Sequence, residues 1–297
     1  MTSGIINVFK EKGYTSHDVV AKARRILNEK KIGHAGTLDP NAEGVLPLCI
    51  GNATKVIEYL TNEDKCYEAE VILGANTTTE DETGEIIERF PVDVNKEEIE
   101  YVISTFIGEY IQIPPMYSAI KVNGVRLYEL ARKGIVIERT KRQVYIYECF
   151  VSSWISQSRF KIKVRCSKGT YIRTLCSDIG KKLNCGAYMG DLLRTKVGRF
   201  ELKNSVSLSQ LEKNKDNLSK YIYSIENIFE DFPKGFIKDN GKKRLYNGNK
   251  LFLGDINIKD QDYHHKICVY DEQCLRAIYV FNQAEKCFYP EKMFLPR

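Results

Sequence analysis

The sequence has no apolar run that approaches the length of a membrane span, and none of its cysteines stands in a C-x-x-C pair. The N-terminal segment MTSGIINVFKEKG also lacks the pattern of a signal peptide. The nine cysteines are odd in number and scattered, which fits neither a zinc ribbon nor a secreted disulfide framework. We therefore expect a cytoplasmic protein with reduced thiols and no contact with a membrane.

The composition is that of an ordinary globular protein. Of its 297 residues 43% are hydrophobic and 28% are charged, enough to bury a real core in one large or two smaller domains. The net charge of +6 favours polyanionic partners. The tail Phe232–Arg297 holds 12 Lys or Arg against 8 Asp or Glu and is rich in aromatic residues and short alternating runs. We predict a first domain over 1–231 and a small all-β domain over 232–297.

Two helices are predicted from their capping signals. Ser16 is the expected N-cap of a helix whose apolar stripe ends shortly before Gly33. Asn95 and Glu98 have the spacing of a capping box and predict the start of a second helix, which Gly108 would close. The first helix leads directly into an unusual loop.

That loop, KIGHAGTLDPNAEGVLPLCIGNATK, combines several backbone-bending residues with His34 and Asp39. It lacks the G-x-x-x-x-G-K-[ST] pattern of a phosphate-binding loop. One His and one Asp are too few ligands for a metal site, and the adjacent His264 and His265 would face opposite ways on a strand. Two interpretations stay open: a structural turn, or a site where Asp39 acts as nucleophile or base on a closely approaching ligand.

One predicted strand alternates strictly between cations and apolar residues. In SRFKIKVRCSKGTYIRT this period of two places four cations on one face. A solvated outer face is the simpler interpretation. However, no acid interrupts the run, and Lys168, Tyr171 and Arg173 follow it, a mixture that suits phosphates and a stacked base. The four cations are Arg159, Lys161, Lys163 and Arg165.

The residue strings resemble the TruB family, the tRNA pseudouridine-55 synthases. The loop GHAGTLDPNAEGVLPLCIGNATK is similar to the family signature, and FKEKGYTSHDVV to its entry segment, with Glu11 where the family usually has proline. DKCYEAEVILGANTTTEDETGEI, IPPMYSAIKVNGVRLYELARKG and CSKGTYIRTLCSDIGKKLNCGAYMGDLLRTKVGRF resemble later blocks in the same order. The similarity runs from about residue 5 to 200, and the tail is similar only in size and style to PUA-like modules.

The resemblance implies an α+β fold, in which an extended mixed or antiparallel sheet carries a central RNA-binding cleft, followed by a PUA-like domain. It implies isomerisation of uridine 55 in the tRNA T arm by base flipping, with the glycosidic bond broken and re-formed at carbon, and with neither cofactor nor metal. The substrate tRNA is the one partner it indicates, and we expect a monomer. A non-catalytic RNA-binding protein or chaperone, and a nucleoside glycosylase, are the alternatives.

The resemblance also assigns roles. Asp39 matches the catalytic aspartate, a nucleophile, and Arg173 the arginine that orients it and pairs with its charge. Residues matching the substrate-binding positions are His34, Tyr67, Tyr171 and Leu192. Contacts to the RNA backbone are expected from Lys10, which could alternatively support the cleft floor, and from Arg159, Lys161, Lys163, Arg165 and Lys168.

Overall fold

The computed structural model describes residues 3–122, 124–258 and 265–295. Within these ranges no helix combines the length and the apolar character needed to cross a membrane. The strands are β1 Gly4–Lys10, β2 Ile32–His34, β3 Glu43–Ile50, β4 Lys65–Leu73, β5 Ala75–Thr77, β6 Ile86–Arg89, β7 Gly108–Gln112, β8 Lys121–Val122, β9 Val125–Arg126, β10 Arg142–Trp154, β11 Arg159–Cys166, β12 Ala187–Val197, β13 Phe200–Glu201, β14 Ile222–Tyr223, β15 Lys234–Ile237, β16 Leu251–Phe252, β17 Ile256–Ile258, β18 Lys266–Asp271, β19 Cys274–Asn282 and β20 Cys287–Met293. The helices are α1 Ser16–Leu27, α2 Ile57–Asn62, α3 Lys96–Ser104, α4 Leu127–Ala131, α5 Ile172–Lys182, α6 Leu208–Lys213 and α7 Asp239–Tyr246.

A ten-stranded mixed sheet forms the body of the protein and confirms the predicted α+β class. Its order is β14-β1-β3-β12-β4-β11-β10-β7, with β2 beside β3 and β13 beside β12. The pair β3–β12 is parallel, and the other pairs along the path are antiparallel. This parallel pair brings the segment that precedes β3, which contains Asp39, next to the centre of the sheet.

Helices α3 and α5 cover one face of strands β4, β10, β11 and β12. Their apolar stripes meet the inward side chains of these strands in one buried cluster, represented by Ile99 on α3, Leu175 on α5 and Ile162 on β11. Fully burying an aliphatic side chain contributes about 1.5–3 kcal/mol, so this face holds much of the folding free energy. The site lies along the edge of this cluster, where α5 begins.

Only one of the two predicted helix caps is observed. Asn95 caps α3 in the predicted capping box with Glu98. Helix α1 is capped by Thr15, in a capping box with Asp18, and not by Ser16, while Asn28 ends it in the left-handed conformation. Ser16 is the first helical residue, and its hydroxyl accepts a hydrogen bond from the Leu38 N–H (2.9 Å). The residue predicted as a cap thus fastens the Asp39 loop to α1.

A second, six-stranded sheet lies in the C-terminal part, in the order β16-β20-β19-β18-β15-β17, with α7 beside it. The predicted C-terminal β domain is therefore confirmed, although helix α7 lies among its described residues and the domain is not all-β as expected. Residues 259–264 and 296–297, including His264, lie outside the described residues. Cys268 and Ile278 pack with Val56 and Phe229 of the preceding part. The boundary at residue 231 stays a prediction.

Candidate active site

Asp39 is presented by a loop that is anchored on both sides. Leu38 and Ala42 are 4% and 2% exposed and belong to the buried cluster under α5. The Asp39 carboxylate between them is 41% exposed. Because the flanking apolar side chains anchor the loop, the carboxylate stays open to a ligand.

Arg173 lies in the first turn of α5 and meets this carboxylate. Its Nε is 3.0 Å from Asp39 Oδ2, and the arginine side chain is only 5% exposed. The other two nitrogens donate to the carbonyl oxygens of Thr79 (3.1 Å) and Tyr117 (2.8 Å). The structure thus brings together Asp39 and Arg173, as the sequence predicted. The buried, planar guanidinium also connects α5 with the segments that contain Asp39, Thr79 and Tyr117.

A second carboxylate, which the sequence analysis did not single out, lies on the same arginine. Asp81 Oδ2 is 3.7 Å from Arg173 Nε and its side chain is 15% exposed. The Thr79 hydroxyl (2.6 Å) and the Thr83 N–H (3.0 Å) donate to its other oxygen. The loop between β5 and β6 is therefore part of the site. The acids in its sequence TTTEDETGEI are the one local signal, and such a polar, acidic string is equally typical of a surface turn.

Tyr67 and Leu192 lie on adjacent strands of the face that α5 covers. Leu192 of β12 pairs with Ala69 of β4, and Arg194 pairs with Tyr67. Leu192 is 7% exposed, and Tyr67 packs partly buried against the same cluster. Burial raises the pKa of Tyr67 to about 12, with a smaller contribution from the Asp39 carboxylate. Because the Arg194 side chain donates to the Gly36 and Thr37 carbonyls of the Asp39 loop, this strand pair places Tyr67 and the loop at one site.

His34 ends β2, opposite Leu48 of β3. Its Nδ1 is buried and has no hydrogen-bond partner among the described residues. Burial lowers the pKa of His34 below its ordinary value, although a hydrogen bond to the Gly36 backbone opposes this effect. The imidazole is thus kept neutral near neutral pH, with a free nitrogen.

Tyr171 is held by its backbone at the start of α5. The Gln112 side chain, fully buried at the end of β7, accepts from the Tyr171 N–H (2.7 Å) and donates to its carbonyl (2.9 Å). This two-point contact fixes the first turn of α5, and with it Arg173. No local pattern indicated Gln112, because the contact spans 59 residues.

Lys10 does not fit the predicted contact with RNA backbone. It is fully buried, and its ammonium donates to the carbonyl oxygens of Glu11 (3.2 Å), Pro40 (3.2 Å) and Ala42 (2.5 Å). A side chain without exposed surface cannot reach a phosphate in this conformation. Lys10 instead supports the Asp39 loop from below, which was the alternative given for it.

The burial of Lys10 makes a pH-dependent prediction. Burial lowers its pKa from 10.5 to about 8. Between these two pH values Lys10 is more protonated in the unfolded chain than in the folded protein. The contribution of Lys10 to the free energy of unfolding therefore rises with pH. We expect the free energy of unfolding of the wild type to rise between pH 8 and pH 10.5 relative to Lys10→Met. Urea unfolding of both proteins across this range measures the difference, and parallel pH profiles would contradict the prediction.

The predicted basic strand β11 has the expected alternation, but its cations lie away from the site. Tyr67 shares a face with Val164, whereas Lys163 pairs with Glu68 on the opposite face of the sheet. Three of the four cations form ion pairs across to neighbouring strands: Arg159–Glu70 at 2.7 Å, Lys161–Glu68 at 3.5 Å and Arg165–Glu148 at 3.5 Å. Lys168, in the following loop, donates to the Asn62 side chain (2.9 Å). This face is a mixed-charge outer surface.

A more suitable cationic segment is the arm, residues 113–141 between β7 and β10. It holds six Lys or Arg against two Glu. Among the described residues, none of these six forms an ion pair with a carboxylate. The arm is fastened to the site through the Tyr117 carbonyl on Arg173 (2.8 Å). The cations are Lys121, Arg126, Arg132, Lys133, Arg139 and Lys141.

Metal-ligating side chains are not clustered in this structure. In the ranges that it describes, no three His, Cys, Asp or Glu side chains are placed to hold a metal ion together. The residues gathered around Asp39 and its loop include Arg173, a second carboxylate, aromatic rings and aliphatic side chains. Such a set can bind a planar base and direct a carboxylate at it.

The amino-acid sequence matches two family models and full-length relatives. Residues 24–172 match the model of the TruB family pseudouridylate synthase N-terminal domain. Residues 173–230 match that of the tRNA pseudouridylate synthase B C-terminal domain. Proteins named tRNA pseudouridine synthase B from Lachnoclostridium phytofermentans and Staphylococcus aureus are 47% and 44% identical, each over 99% of this chain and all of the relative.

Solved structures show the same fold. A Cbf5-Nop10-Gar1 complex contains a chain with a TM-score of 0.76 and 29% identity, covering 99% of this chain and 85% of that one. An H/ACA RNP bound to a substrate RNA with 2′-deoxyuridine contains another, with a TM-score of 0.74 and 28% identity, over 99% and 86%. The similarity spans both sheets and confirms the predicted architecture.

Proposed function

Because the chain belongs to the TruB family of pseudouridylate synthases, we propose that it isomerises uridine 55 in the T arm of tRNA to pseudouridine. The chain is thus an isomerase, and the names of its relatives support tRNA as the substrate class. The resemblance of the Asp39 loop to the family signature supports the T-arm position. We place the reaction in the cytoplasm, because all nine cysteines are free thiols.

The pairing of Asp39 with Arg173 is the observation that carries this proposal. The carboxylate is exposed, while the cation beside it at 3.0 Å is buried and fixed by two carbonyl oxygens. A carboxylate oxygen attacks the nucleotide at sugar carbon C1′ or on the base. The bond from N1 to C1′ breaks, the uracil rotates, and C5 bonds to C1′. C5 then loses a proton, N1 gains one, and Asp39 leaves unchanged.

The other residues of the site receive the extruded base. A base within a folded RNA must leave its stack before a protein side chain can reach the glycosidic bond. Tyr67 and Leu192 pack on the same cluster, so the tyrosine ring would stack on the base and the leucine would close the apolar side. His34, half-buried at the end of β2, would guide the base into the site. Tyr171 lies two residues before Arg173, and its assignment to substrate stays a prediction.

The arm contacts the RNA backbone in this proposal. Its cations lack carboxylate partners among the described residues, so they remain available to phosphates. Arg126 and Arg132 lie over the Tyr128 ring, at 5.8 and 5.4 Å from its centroid. Cations next to an aromatic ring suit an RNA surface better than the paired cations of β11.

Two charge-removing double variants compare these surfaces. Arg126→Gln with Lys133→Gln should weaken tRNA binding and lower the slope of log affinity against log salt by about 0.7–0.9 for each phosphate that is no longer neutralised. Lys161→Gln with Lys163→Gln removes the same charge from the outer face of β11 and should change both quantities little. Filter binding at four salt concentrations measures both slopes. If the β11 variant reduces tRNA affinity and its salt dependence more than the arm variant does, β11 and not the arm contacts the RNA backbone.

Mapping the product tests the function itself. The protein is incubated with an unmodified tRNA transcript, and pseudouridine is located chemically, with a transcript carrying cytidine at position 55 as control. We expect product at uridine 55 alone. Tight binding without product would favour the RNA chaperone. An abasic site in place of pseudouridine would favour the glycosylase.

A further inference from the structure

Arg194 of β12 is a buried cation without a charged partner. It is 1% exposed, and among the described residues no carboxylate forms an ion pair with it. Its nitrogens donate to three backbone carbonyl oxygens, those of Val45 (2.8 Å), Thr37 (3.3 Å) and Gly36 (3.2 Å). Burying an unpaired charge costs several kcal/mol, about the size of the penalty for breaking a buried pair. Stability alone therefore does not account for this residue.

All three carbonyls belong to the Asp39 loop and the strand that follows it. Gly36 and Thr37 precede Asp39, and Val45 lies six residues after it. The guanidinium thus bridges the two ends of the loop, and Lys10 holds its middle through Pro40 and Ala42. A planar group with fixed donors suits such a multi-point contact, whereas a lysine offers a single point.

Two glycines of the loop lie against Arg194. Gly44 has φ +113°, and a Cβ there would lie 2.2 Å from the backbone carbonyl oxygen of Arg194, so this position needs a residue without a side chain. Gly36 has φ +93°, which favours glycine, and a Cβ there would lie at an ordinary contact distance of 3.6 Å from the guanidinium. The loop therefore packs against the β12 backbone at Gly44 and passes beside the guanidinium at Gly36.

Arg194 also faces Tyr67. The two residues are register partners on β12 and β4, and their polar ends interact. One buried side chain therefore contacts both the loop that presents Asp39 and the ring that would stack on the base. Its position sets the separation between these two groups.

We propose that Arg194 is a positioning residue for the isomerisation, which locks the Asp39 loop against β4 and so holds the carboxylate at reacting distance from a base stacked on Tyr67. This inference rests on the proposed function. It assigns Arg194 no contact with RNA and no part in proton transfer. A misplacement of about 1 Å in a reacting group can reduce the rate by about 100-fold.

The test compares Arg194→Met with Lys65→Met. Lys65 is another buried cation, on the same strand as Tyr67, but it donates to the carbonyls of Thr61 and Glu63, outside the loop. Both variants should lose thermal stability. At saturating tRNA, the single-turnover rate of Arg194→Met should fall by about 100-fold with little change in Kd. Lys65→Met should keep most of the wild-type rate.

Two further variants keep the test decisive if Arg194→Met does not fold. Arg194→Lys keeps the charge and should recover part of the rate. Gly36→Ala leaves the arginine in place and strains the backbone of the loop, which has φ +93° where it accepts from the guanidinium, so it should lower the rate and not the affinity. Equal reductions in Arg194→Met and Lys65→Met, or wild-type rates in folded Arg194 variants, would overturn the inference. A wild type that makes no pseudouridine would overturn the proposed function instead.

Discussion

Asp39→Asn is expected to make pseudouridine formation undetectable while tRNA binding persists. The substitution exchanges one oxygen for nitrogen and keeps the shape of the side chain. The amide is not a competent nucleophile at carbon, so the glycosidic bond stays intact. Binding should persist because the cations proposed to meet phosphate lie on the arm. The remaining amide oxygen can still accept from Arg173.

The fold should tolerate this change. The loop is held by Leu38, Ala42 and the two buried cations Lys10 and Arg194, not by the half-exposed carboxylate. Arg173 keeps the Asp81 carboxylate at 3.7 Å and its two carbonyl acceptors, so we expect the free energy of unfolding to change by about 1 kcal/mol or less. Asp191→Asn is a matched control, since Asp191 is a 67% exposed carboxylate paired with Lys12 at 2.6 Å. The control should keep full activity.

Product, tRNA affinity and melting temperature are measured on wild type and Asp39→Asn. If Asp39→Asn folds and binds tRNA but forms no pseudouridine, the result supports Asp39 as the nucleophile. Reduced stability with an unchanged rate in the folded fraction would support the structural turn. Substantial product from purified Asp39→Asn, free of wild-type enzyme, would remove the basis of the mechanism.

The sequence predicted the residues that form the site better than it predicted the long-range contacts that hold them. The loop around Asp39 and the first turn of α5 around Arg173 were both recognisable from local strings. The buried arginine that holds this loop was not, because Arg194 lies 149 residues from Val45 along the chain. A buried lysine is equally unexpected from composition, since lysine is almost never fully buried unless its charge is compensated. Such contacts depend on strand register, which no local pattern fixes.

The basic strand shows the same limit. Its period of two correctly predicted a strand with one buried face, and Phe160, Ile162 and Val164 are indeed buried. Whether the cationic face turns toward the site depends on the strand order, which places Tyr67 on the other side. The acids that pair with three of the four cations come from strands β4 and β10, so an uninterrupted basic run in sequence becomes a mixed-charge surface in space.

Arg173→Met is expected to reduce the single-turnover rate by at least about 100-fold, the effect typical of a misoriented reacting group. It leaves Asp39 and Asp81 without their shared cation, and the carbonyls of Thr79 and Tyr117 without a donor. Breaking a buried pair costs about 3–5 kcal/mol, less here because Asp39 is half-exposed. Both rate and melting temperature should therefore fall.

Adding Asp81→Asn to Arg173→Met separates the two effects. The second substitution removes the charge that lies unpaired beneath the site, so the melting temperature should partly recover. The rate should not recover, because Asp39 still lacks the guanidinium that orients it. Lys181→Met on the same helix, an exposed cation paired with Asp178 at 2.8 Å, controls for loss of charge on α5 and should leave both quantities near wild type. Recovery of the rate together with stability in the double variant would show that Arg173 acts only by balancing buried charge, and the orienting role would then have to be given up.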